Sequence, residues 1–244
     1  MPEMNYYVDI YSNLLSEMPA ANGGVLDVPA AEARLNAFHE SSIKTAVCAP
    51  YYRPDRCGTP AEFLARRDAL IAAYNENRQI PHLVGGAVLP LSYCLEEMRG
   101  LSQFVVGSSE YLLVDLPMQP VTEEFCETLT RLRIVSGLSL IAVDIDRYYD
   151  FWSLEDWLTL RQNGMLLQIS VDGLLSAEQR KLSLYLLANQ LAHFVATGGR
   201  DIREPLRFTE AMRFIQRSLP AEIYRRIKNN AGMLLSNAEP SVFV

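Results

Sequence analysis

The feature that most constrains the fold is a repeated alternation of two residue patterns along the chain. Short apolar runs rich in β-branched residues predict strands, and between most of them lie longer segments with helical periodicity. Such alternation is typical of α/β proteins, in which helices connect parallel strands. The predicted strands are residues 6–10, 45–48, 82–88, 111–115, 138–143, 166–170 and 193–197. The predicted helices are residues 30–40, 60–77, 122–134, 154–163, 177–192 and 204–218.

Length and composition favour one compact domain. The chain has 244 residues, 49% of them hydrophobic, which is enough to bury one sizeable core. No proline-, glycine- or serine-rich tract and no shift in composition marks a linker, so we expect a single domain spanning residues 1–244. Either a parallel barrel or an open doubly wound sheet would fit the alternation.

Charge and cysteine usage exclude several classes of protein. The formal net charge of −7 argues against a nucleic-acid binder, because phosphate contacts need clustered lysine and arginine. A basic run at residues 225–228 fits the polar face of a C-terminal helix. The cysteines include no C-x-x-C pair, which predicts reduced thiols and no zinc ribbon. The sequence has neither a signal-peptide pattern nor an apolar run of membrane-spanning length, so we expect a cytoplasmic protein without direct membrane insertion.

Functional side chains of parallel α/β proteins gather just past the carboxyl ends of the strands. None of these segments contains a G-x-G-x-x-G or Walker A motif, so we expect no nucleotide cofactor. The segments are residues 9–13, 50–53, 88–91, 144–147, 171–173 and 198–201.

Short motifs at these positions match the motifs of one known family in order. V-D-I-Y-S-N at residues 8–13 is similar to the family's D-x-H-x-H, A-P-Y-Y-R at residues 49–53 to its T-P-H-Y, and L-L-V-D-L-P-M at residues 112–118 to its L-I-E-F-P-M. Residues 86–88 lie where the family carries a glutamate.

The second half of the chain continues the match. I-A-V-D-I-D-R-Y at residues 141–148 is similar to I-A-H-P-E-R-Y, G-M-L-L-Q-I-S at residues 164–170 to G-x-L-L-Q-I-N, and H-F-V-A-T-G-G-R-D at residues 193–201 to H-F-I-A-S-D-A-H-N. The chain thus resembles the PHP-type bacterial protein tyrosine phosphatases of capsule and exopolysaccharide operons, the CpsB/YwqE group. The resemblance implies a single-domain, distorted TIM-like (β/α)7 barrel.

The resemblance also implies that the metal-binding residues of this family are replaced here. Phosphatases of the group use several divalent ions, which polarise the phosphoryl group and generate hydroxide. Tyr11, Asn13, Tyr51, Asp144 and Arg200 stand at histidine positions, Gly198 at an aspartate position and Val88 at a glutamate position. Only Asp144 among these could still bind a cation, so we expect a degenerate metal site without a cofactor.

The acidic residues that remain allow two interpretations. Asp9, Asp144 and Asp146 could hold one Mg²⁺ or Mn²⁺ through oxygen ligands. Asp144 and Asp146 could equally pair with Arg147 or Arg200, since opposite charges in one cleft need no ion.

The arginines suggest a second kind of site. Arg147, Arg200 and Arg53 could form a bidentate pocket for the phosphate of phosphotyrosine or of a phosphosugar. An arginine–aspartate network that only stabilises the fold is the competing interpretation.

Aromatic and imidazole side chains have structural explanations as well. We expect the histidines, at positions 39, 82 and 193, to be structural. Several tyrosines near the strand ends could fill the space where the family binds metal, or could form a binding surface. These are Tyr11, Tyr51, Tyr52, Tyr148 and Tyr149.

Three functions follow from these observations. The first is a catalytically inactive phosphatase homologue that binds or regulates a partner, such as a bacterial tyrosine kinase or its phosphotyrosine tail. The second is an active protein tyrosine phosphatase with a reduced metal set of Mn²⁺ or Mg²⁺, in which Arg147 holds the phosphate. The third is a protein that binds a phosphorylated ligand without metal.

Overall fold

A computed structural model of the chain describes residues 6–20, 23–77, 81–198 and 207–243. These residues form eight strands, and every pair of neighbouring strands is parallel, which confirms the predicted α/β class. The strand order is β1-β2-β3 in one sheet and β4-β5-β6-β7-β8 in the other. The strands are β1 Tyr7–Ser12, β2 Ile43–Cys48, β3 His82–Gly85, β4 Val88–Pro90, β5 Tyr111–Asp115, β6 Ser139–Ala142, β7 Leu166–Ser170 and β8 Phe194–Ala196.

Eight strands arise from seven predicted ones because the predicted strand at residues 82–88 is broken at Gly86. β3 pairs with β2 and β4 pairs with β5, so the two halves belong to different sheets. A Cβ at Gly86 would lie 2.9 Å from a methyl group of Val47. The Gly86 carbonyl accepts a hydrogen bond from Arg67 Nη1 at 2.9 Å, which fixes the break.

The two sheets meet at isolated bridges and are not continuous with each other. Ser12 bridges Gly198 next to β8, and Tyr51 bridges Val88 in β4. Backbone hydrogen bonds from Val88 N to Pro50 O and from Tyr52 N to Val88 O support the second bridge. The (β/α)7 barrel implied by the resemblance is therefore not present as one closed sheet among the described residues.

Helices follow most strands, and polar side chains cap several of them. Thr59 and Glu62 bond reciprocally at the start of helix Pro60–Asn77, and Ser153 and Asp156 form a capping box at the start of helix Leu154–Gln162. The predicted helix at residues 177–192 is shorter than expected, because Gln190 has a left-handed φ of 58° that ends the helical path. The helices are α1 Val28–Glu40, α2 Pro54–Cys57, α3 Pro60–Asn77, α4 Leu91–Glu96, α5 Glu123–Ser136, α6 Leu154–Gln162, α7 Val171–Leu175, α8 Arg180–Ala188, α9 Phe208–Ser218 and α10 Ala221–Leu235.

Both faces of the strands are buried, each in its own hydrophobic cluster. In β5, Leu112 and Val114 pack in an outer cluster with helical side chains, while Tyr111 and Leu113 pack in an inner cluster. Every strand contributes to the inner cluster, β3 through the partly buried Val84. Strands buried on both faces read as continuous apolar runs, which is the pattern found in the sequence.

The C-terminal segment covers the amino ends of the strands. Phe243 packs against Tyr111 and Phe194, which begin β5 and β8, at ring-centroid distances of 5.8 and 5.3 Å. Leu234 of α10 joins the same inner cluster. The buried acids Asp9, Asp144 and Asp146, by contrast, lie in or after the strands toward their carboxyl ends.

Two further predictions concern cysteines and membrane spans. All four cysteines are unpaired thiols, as the sequence indicated. Within the described ranges, no helix combines the length and apolar character needed to cross a bilayer.

His193 is buried as a neutral side chain, whereas His39 and His82 are exposed. His193 Nδ1 accepts a hydrogen bond from Leu167 N at 3.0 Å, so Nε2 carries the proton. Burial, with Arg161 and Arg226 nearby, lowers the pKa of His193 from its usual 6.5 to about 3. The native state therefore holds His193 without its second proton well into the acidic range.

We expect His193 to make the protein sensitive to acid. Between the unfolded pKa near 6.5 and the folded pKa near 3, the unfolded state binds one more proton than the native state. The free energy of unfolding should therefore fall as pH drops through this window, by up to about 1.4 kcal/mol per pH unit. Urea unfolding from pH 7 to pH 4.5 should show a shallower fall in His193→Gln than in the wild type.

His82→Gln provides the control, because His82 is exposed. An equal pH dependence in His193→Gln and the wild type would show that His193 is not the responsible group.

Candidate functional site

Asp115 is the centre of a polar network at the carboxyl end of β5. Tyr51 Oη donates a 2.7 Å hydrogen bond to Asp115 Oδ2, and Arg147 Nη2 donates to Asp115 Oδ1. Arg147 Nη2 also donates to Tyr148 Oη at 2.7 Å, and Tyr148 Oη donates to the Leu116 carbonyl. We call Tyr51, Asp115, Arg147 and Tyr148 the Asp115 network. Its ion pair is mostly shielded from water, since the Arg147 and Asp115 side chains are 22% and 17% exposed.

Sequence reasoning missed Asp115 as a site residue. One of its two interpretations paired Asp144 and Asp146 with Arg147 or Arg200, whereas in the structure Arg147 forms its ion pair with Asp115. One signal could have found it: Tyr111 and Leu113 face the inner cluster, and strict alternation puts Asp115 on the same face. Asp115, which ends this inward-facing apolar series, could therefore have been predicted to lie in the site at the strand ends.

Asp9 lies at the junction of β1 and β8 and is fully buried. Thr197 Oγ1 donates to Asp9 Oδ2 at 2.6 Å, and the backbone N–H groups of Thr197 and Tyr11 donate to Asp9 Oδ1 at 3.2 Å each. Burial raises the pKa of Asp9 from 3.8 to about 7, although these hydrogen bonds oppose the rise. Asp9 therefore joins two strands as a structural acceptor.

Asp144 and Gly198 face each other across the same end of the sheet. Asp144 has a left-handed φ of 48°, and its N–H donates to Gln168 Oε1 at 2.7 Å. A Cβ at Gly198 would lie 2.8 Å from Asp144 Oδ1, and Gly198 itself has a φ of 74°. The two substitutions are thus sterically coupled, because the Asp144 carboxylate fills the space that a side chain at position 198 would need.

Asp146 is bound separately at the start of α7. Its Oδ1 accepts from Ser170 N at 2.9 Å, and a Cβ at Gly173 would lie 2.3 Å from the Asp146 Cβ. Asp146 therefore caps the end of β7 and packs against helical backbone.

Apolar and aromatic side chains fill much of the remaining interior. Val88, at the glutamate position, is completely buried in the inner cluster together with Tyr11 and Tyr51. Tyr52 lies elsewhere, in the outer cluster, where its ring contacts Phe63 at 4.9 Å. Tyr11 and Tyr51 are therefore buried near the strand ends, whereas Tyr52 packs away from them.

Arg53, a second predicted phosphate ligand, lies near the Asp115 network, because its charge and that of Arg147 both act on the Tyr51 hydroxyl. Arg53 lines a cavity of about 620 Å³ whose wall includes Tyr51, and it pairs with Asp55 at 3.2 Å. A second cavity of about 680 Å³ is lined by Asp115. The two cavities therefore flank the Tyr51–Asp115 hydrogen bond. Arg200 lies outside the described residues, and its role stays a prediction.

The residues present do not fit the metal centre that the resemblance would require. Asp9, Asp115 and Asp146 each have oxygen atoms engaged by protein donors, and Val88 offers no ligand. Across the described ranges, no three histidine, cysteine, aspartate or glutamate side chains form a group that could hold a metal ion. The carboxylates at positions 9, 144 and 146 thus do not make such a group.

Hydrogen-bond donors, by contrast, are left over at the strand ends. Among the described residues, Asn13 Nδ2, Gln168 Nε2 and Arg147 Nε are buried without a protein acceptor. Buried donors are normally satisfied by protein or by water. Anion or hydroxyl oxygens would accept from these donors, and Asn13 Oδ1, which also lacks a partner, would accept from a hydroxyl group, so this end of the sheet suits an anionic or hydroxyl-bearing ligand.

Asp9→Asn is expected to stabilise the metal-free protein at alkaline pH. A folded pKa near 7 against 3.8 when unfolded means that the native state binds the extra proton between these values. The stability that Asp9 contributes is thus complete below pH 3.8 and is lost as pH rises through 7. In EDTA, the free energy of unfolding of Asp9→Asn should rise relative to that of the wild type from pH 5 to pH 7, by up to about 1.4 kcal/mol per pH unit, and the difference should level off above pH 7.

Asp150→Asn is the matched control, because Asp150 is exposed. If Asp9→Asn tracked the wild type across this pH range, Asp9 would have an ordinary pKa.

Arg147→Gln is expected to destabilise the protein by about 2 kcal/mol, because it leaves the Asp115 carboxylate partly buried without its cation. Adding Asp115→Asn should restore part of that loss, since the neutral amide needs no counter-charge. A double-mutant cycle by chemical denaturation measures this coupling. Strictly additive effects of the two substitutions would mean that the ion pair contributes nothing.

Comparison with known proteins places these features in a family. The family model for capsular polysaccharide synthesis, CpsB/CapC, matches residues 7–236. No curated protein matches the chain at a significant level.

Two solved structures share the fold. One comes from work on YwqE from Bacillus subtilis and CpsB from Streptococcus pneumoniae, described as unique metal-dependent tyrosine phosphatases. It is 18% identical, with a TM-score of 0.79 and coverage of 95% of each chain. The other is YjjV, a TatD homologue from Escherichia coli, which is 13% identical with a TM-score of 0.51 and covers 94% of this chain and 97% of its own. Because the family model matches nearly the whole chain, this protein belongs to the CpsB/CapC family of capsular polysaccharide synthesis.

Proposed function

We propose that this chain is a CpsB/CapC protein that binds a ligand or partner and does not hydrolyse phosphotyrosine with bound metal. The Asp115 network carries the proposal. Its acid is held by an arginine and a tyrosine, so the position that would offer a carboxylate to a cation presents a neutralised pair. We further propose that the two sheets correspond to a PHP-type, TIM-like barrel and that the protein works in the cytoplasm.

Steric coupling supports the loss of metal chemistry. Restoring a ligand at one position would not restore a centre, because Asp144 fills the space next to Gly198 and apolar side chains surround Val88. Several substitutions would have to change together. A metal centre rebuilt by one compensating residue is therefore disfavoured.

The proposed partner is a bacterial tyrosine kinase or its phosphotyrosine tail, in the control of exopolysaccharide synthesis. The cavities on either side of the Tyr51–Asp115 hydrogen bond support it, because they provide extended concave surface at the strand ends. One wall includes Tyr51 and Phe63 and the other includes Leu116 and Phe125, which gives both cavities aromatic surface. Aromatic rings in concave sites are frequent anchors for protein ligands.

The unpaired donors favour a second candidate function, the binding of a phosphorylated small molecule without metal. Asn13 Nδ2, Gln168 Nε2 and Arg147 Nε have no protein acceptor among the described residues. Phosphate or sugar oxygens would accept from them. For this function, Arg147 Nε donates to the ligand while Arg147 Nη2 keeps its bond to Asp115.

Metal analysis combined with a phosphatase assay tests the proposal. Purified protein supplied with Mn²⁺ should retain less than one ion per chain, because the carboxylates of Asp9, Asp115 and Asp146 are engaged by protein donors. Turnover of a phosphotyrosine peptide should not exceed that of Asp144→Asn. CpsB from Streptococcus pneumoniae, measured in the same buffers, provides the active comparison.

Stoichiometric Mn²⁺ together with turnover that disappears in Asp144→Asn would establish the competing function, an active phosphatase with a reduced metal set and Arg147 as phosphate ligand. Binding of the peptide without turnover, weakened in Arg147→Gln, would support the binding function.

A further inference from the structure

A separate cavity of about 370 Å³ lies between α7, α8 and α9. It shares no lining residue with the two cavities at Tyr51 and Asp115. Leu174 and Leu175 of α7 and Phe214 of α9 provide its apolar surface. Phe214 is only half-buried, so its ring remains available for contact.

Three arginines line the same cavity. Arg180 begins α8, while Arg213 and Arg217 lie one turn apart on α9. All three are exposed, and none of them forms an ion pair with any residue that the structure describes. Like charges one helical turn apart disfavour a helix slightly.

The acid in the cavity wall does not neutralise the arginines. Glu210 lines the cavity, but its two carboxylate oxygens accept from Arg207 Nε and Nη2, each at 2.8 Å. Arg207 is not a lining residue. The cavity therefore keeps the positive charge of three guanidinium groups.

This arrangement differs from the arginine-lined cavity beside Tyr51. There, Arg53 pairs with Asp55 at 3.2 Å and Arg66 pairs with Glu17 at 2.9 Å. The chain as a whole has a net charge of −7, so acids are plentiful. An uncompensated arginine group around a concave surface is thus a local exception in an acidic protein.

We propose that the cavity between α7, α8 and α9 binds a phosphomonoester whose phosphate contacts Arg180, Arg213 and Arg217. Guanidinium groups match phosphate oxygens through paired N–H donors, and a phosphate dianion neutralises more of their charge than one carboxylate does. The organic part of the ligand lies against Leu174, Leu175 and Phe214. A volume of about 370 Å³ suits a small molecule or a single phosphorylated side chain.

An NMR titration of the full-length, ¹⁵N-labelled chain tests the proposal, with inorganic phosphate and phenyl phosphate as probes. Saturable shifts are expected at α7 and α9, with phenyl phosphate binding more tightly because of the apolar surface. Arg213→Gln and Arg217→Gln should each weaken binding about tenfold or more through the loss of charge-assisted hydrogen bonds. Arg213→Lys keeps the charge but loses the paired N–H donors of the guanidinium group. Its affinity should lie between those of Arg213→Gln and the wild type.

Arg99→Gln is the control for overall charge, because Arg99 is an exposed arginine outside this cavity. A loss of affinity in Arg99→Gln equal to that in Arg213→Gln, or the absence of saturable shifts at α7 and α9, would overturn the proposal. Shifts at residues 144–148 that disappear in Arg147→Gln report the strand-end site instead. Failure of one site is therefore distinguishable from failure of the other.

Discussion

Asp115 ends β5 with one carboxylate oxygen against Arg147 and the other against the hydroxyl of Tyr51, and this pairing governs what the strand ends can bind. For a partly buried carboxylate without a counter-charge, the loss of hydration would cost more free energy than its contacts with the protein supply. Arg147 supplies that counter-charge from the neighbouring loop after β6. The same bonds hold the loops after β2, β5 and β6 together. The contacts that neutralise Asp115 therefore also fix the positions of these loops.

Other side chains at the strand ends are likewise held by contacts within the protein. Asp9 accepts from Thr197 and joins β1 to β8, while Asp146 accepts from Ser170 and fixes the start of α7. Val88 and Tyr11 extend the inner hydrophobic cluster toward the mouth. Each of these side chains is thus engaged by an internal hydrogen bond or by packing.

Charge is unevenly distributed over this acidic chain. At the strand ends, Arg147 and Asp115 pair within the protein, and the unpartnered groups include both amide atoms of Asn13, Gln168 Nε2 and Arg147 Nε. Around α9, the guanidinium groups of Arg180, Arg213 and Arg217 have no such pairing among the described residues. Two regions with different electrostatic character therefore lie on one scaffold, and each selects a different set of ligand atoms.

The sequence by itself determined the α/β class, most strand positions, the helix caps at Thr59 and Ser153, and the family, because these depend on local periodicity and on motifs read in order. It did not determine the break at Gly86 or the partner of Arg147. The bond from Tyr51 to Asp115 spans 64 residues, and the bond from Thr197 to Asp9 spans 188. Contacts at such separations depend on strand order and on how loops fold over the sheet, so only the tertiary structure decided which acids remain available to a ligand.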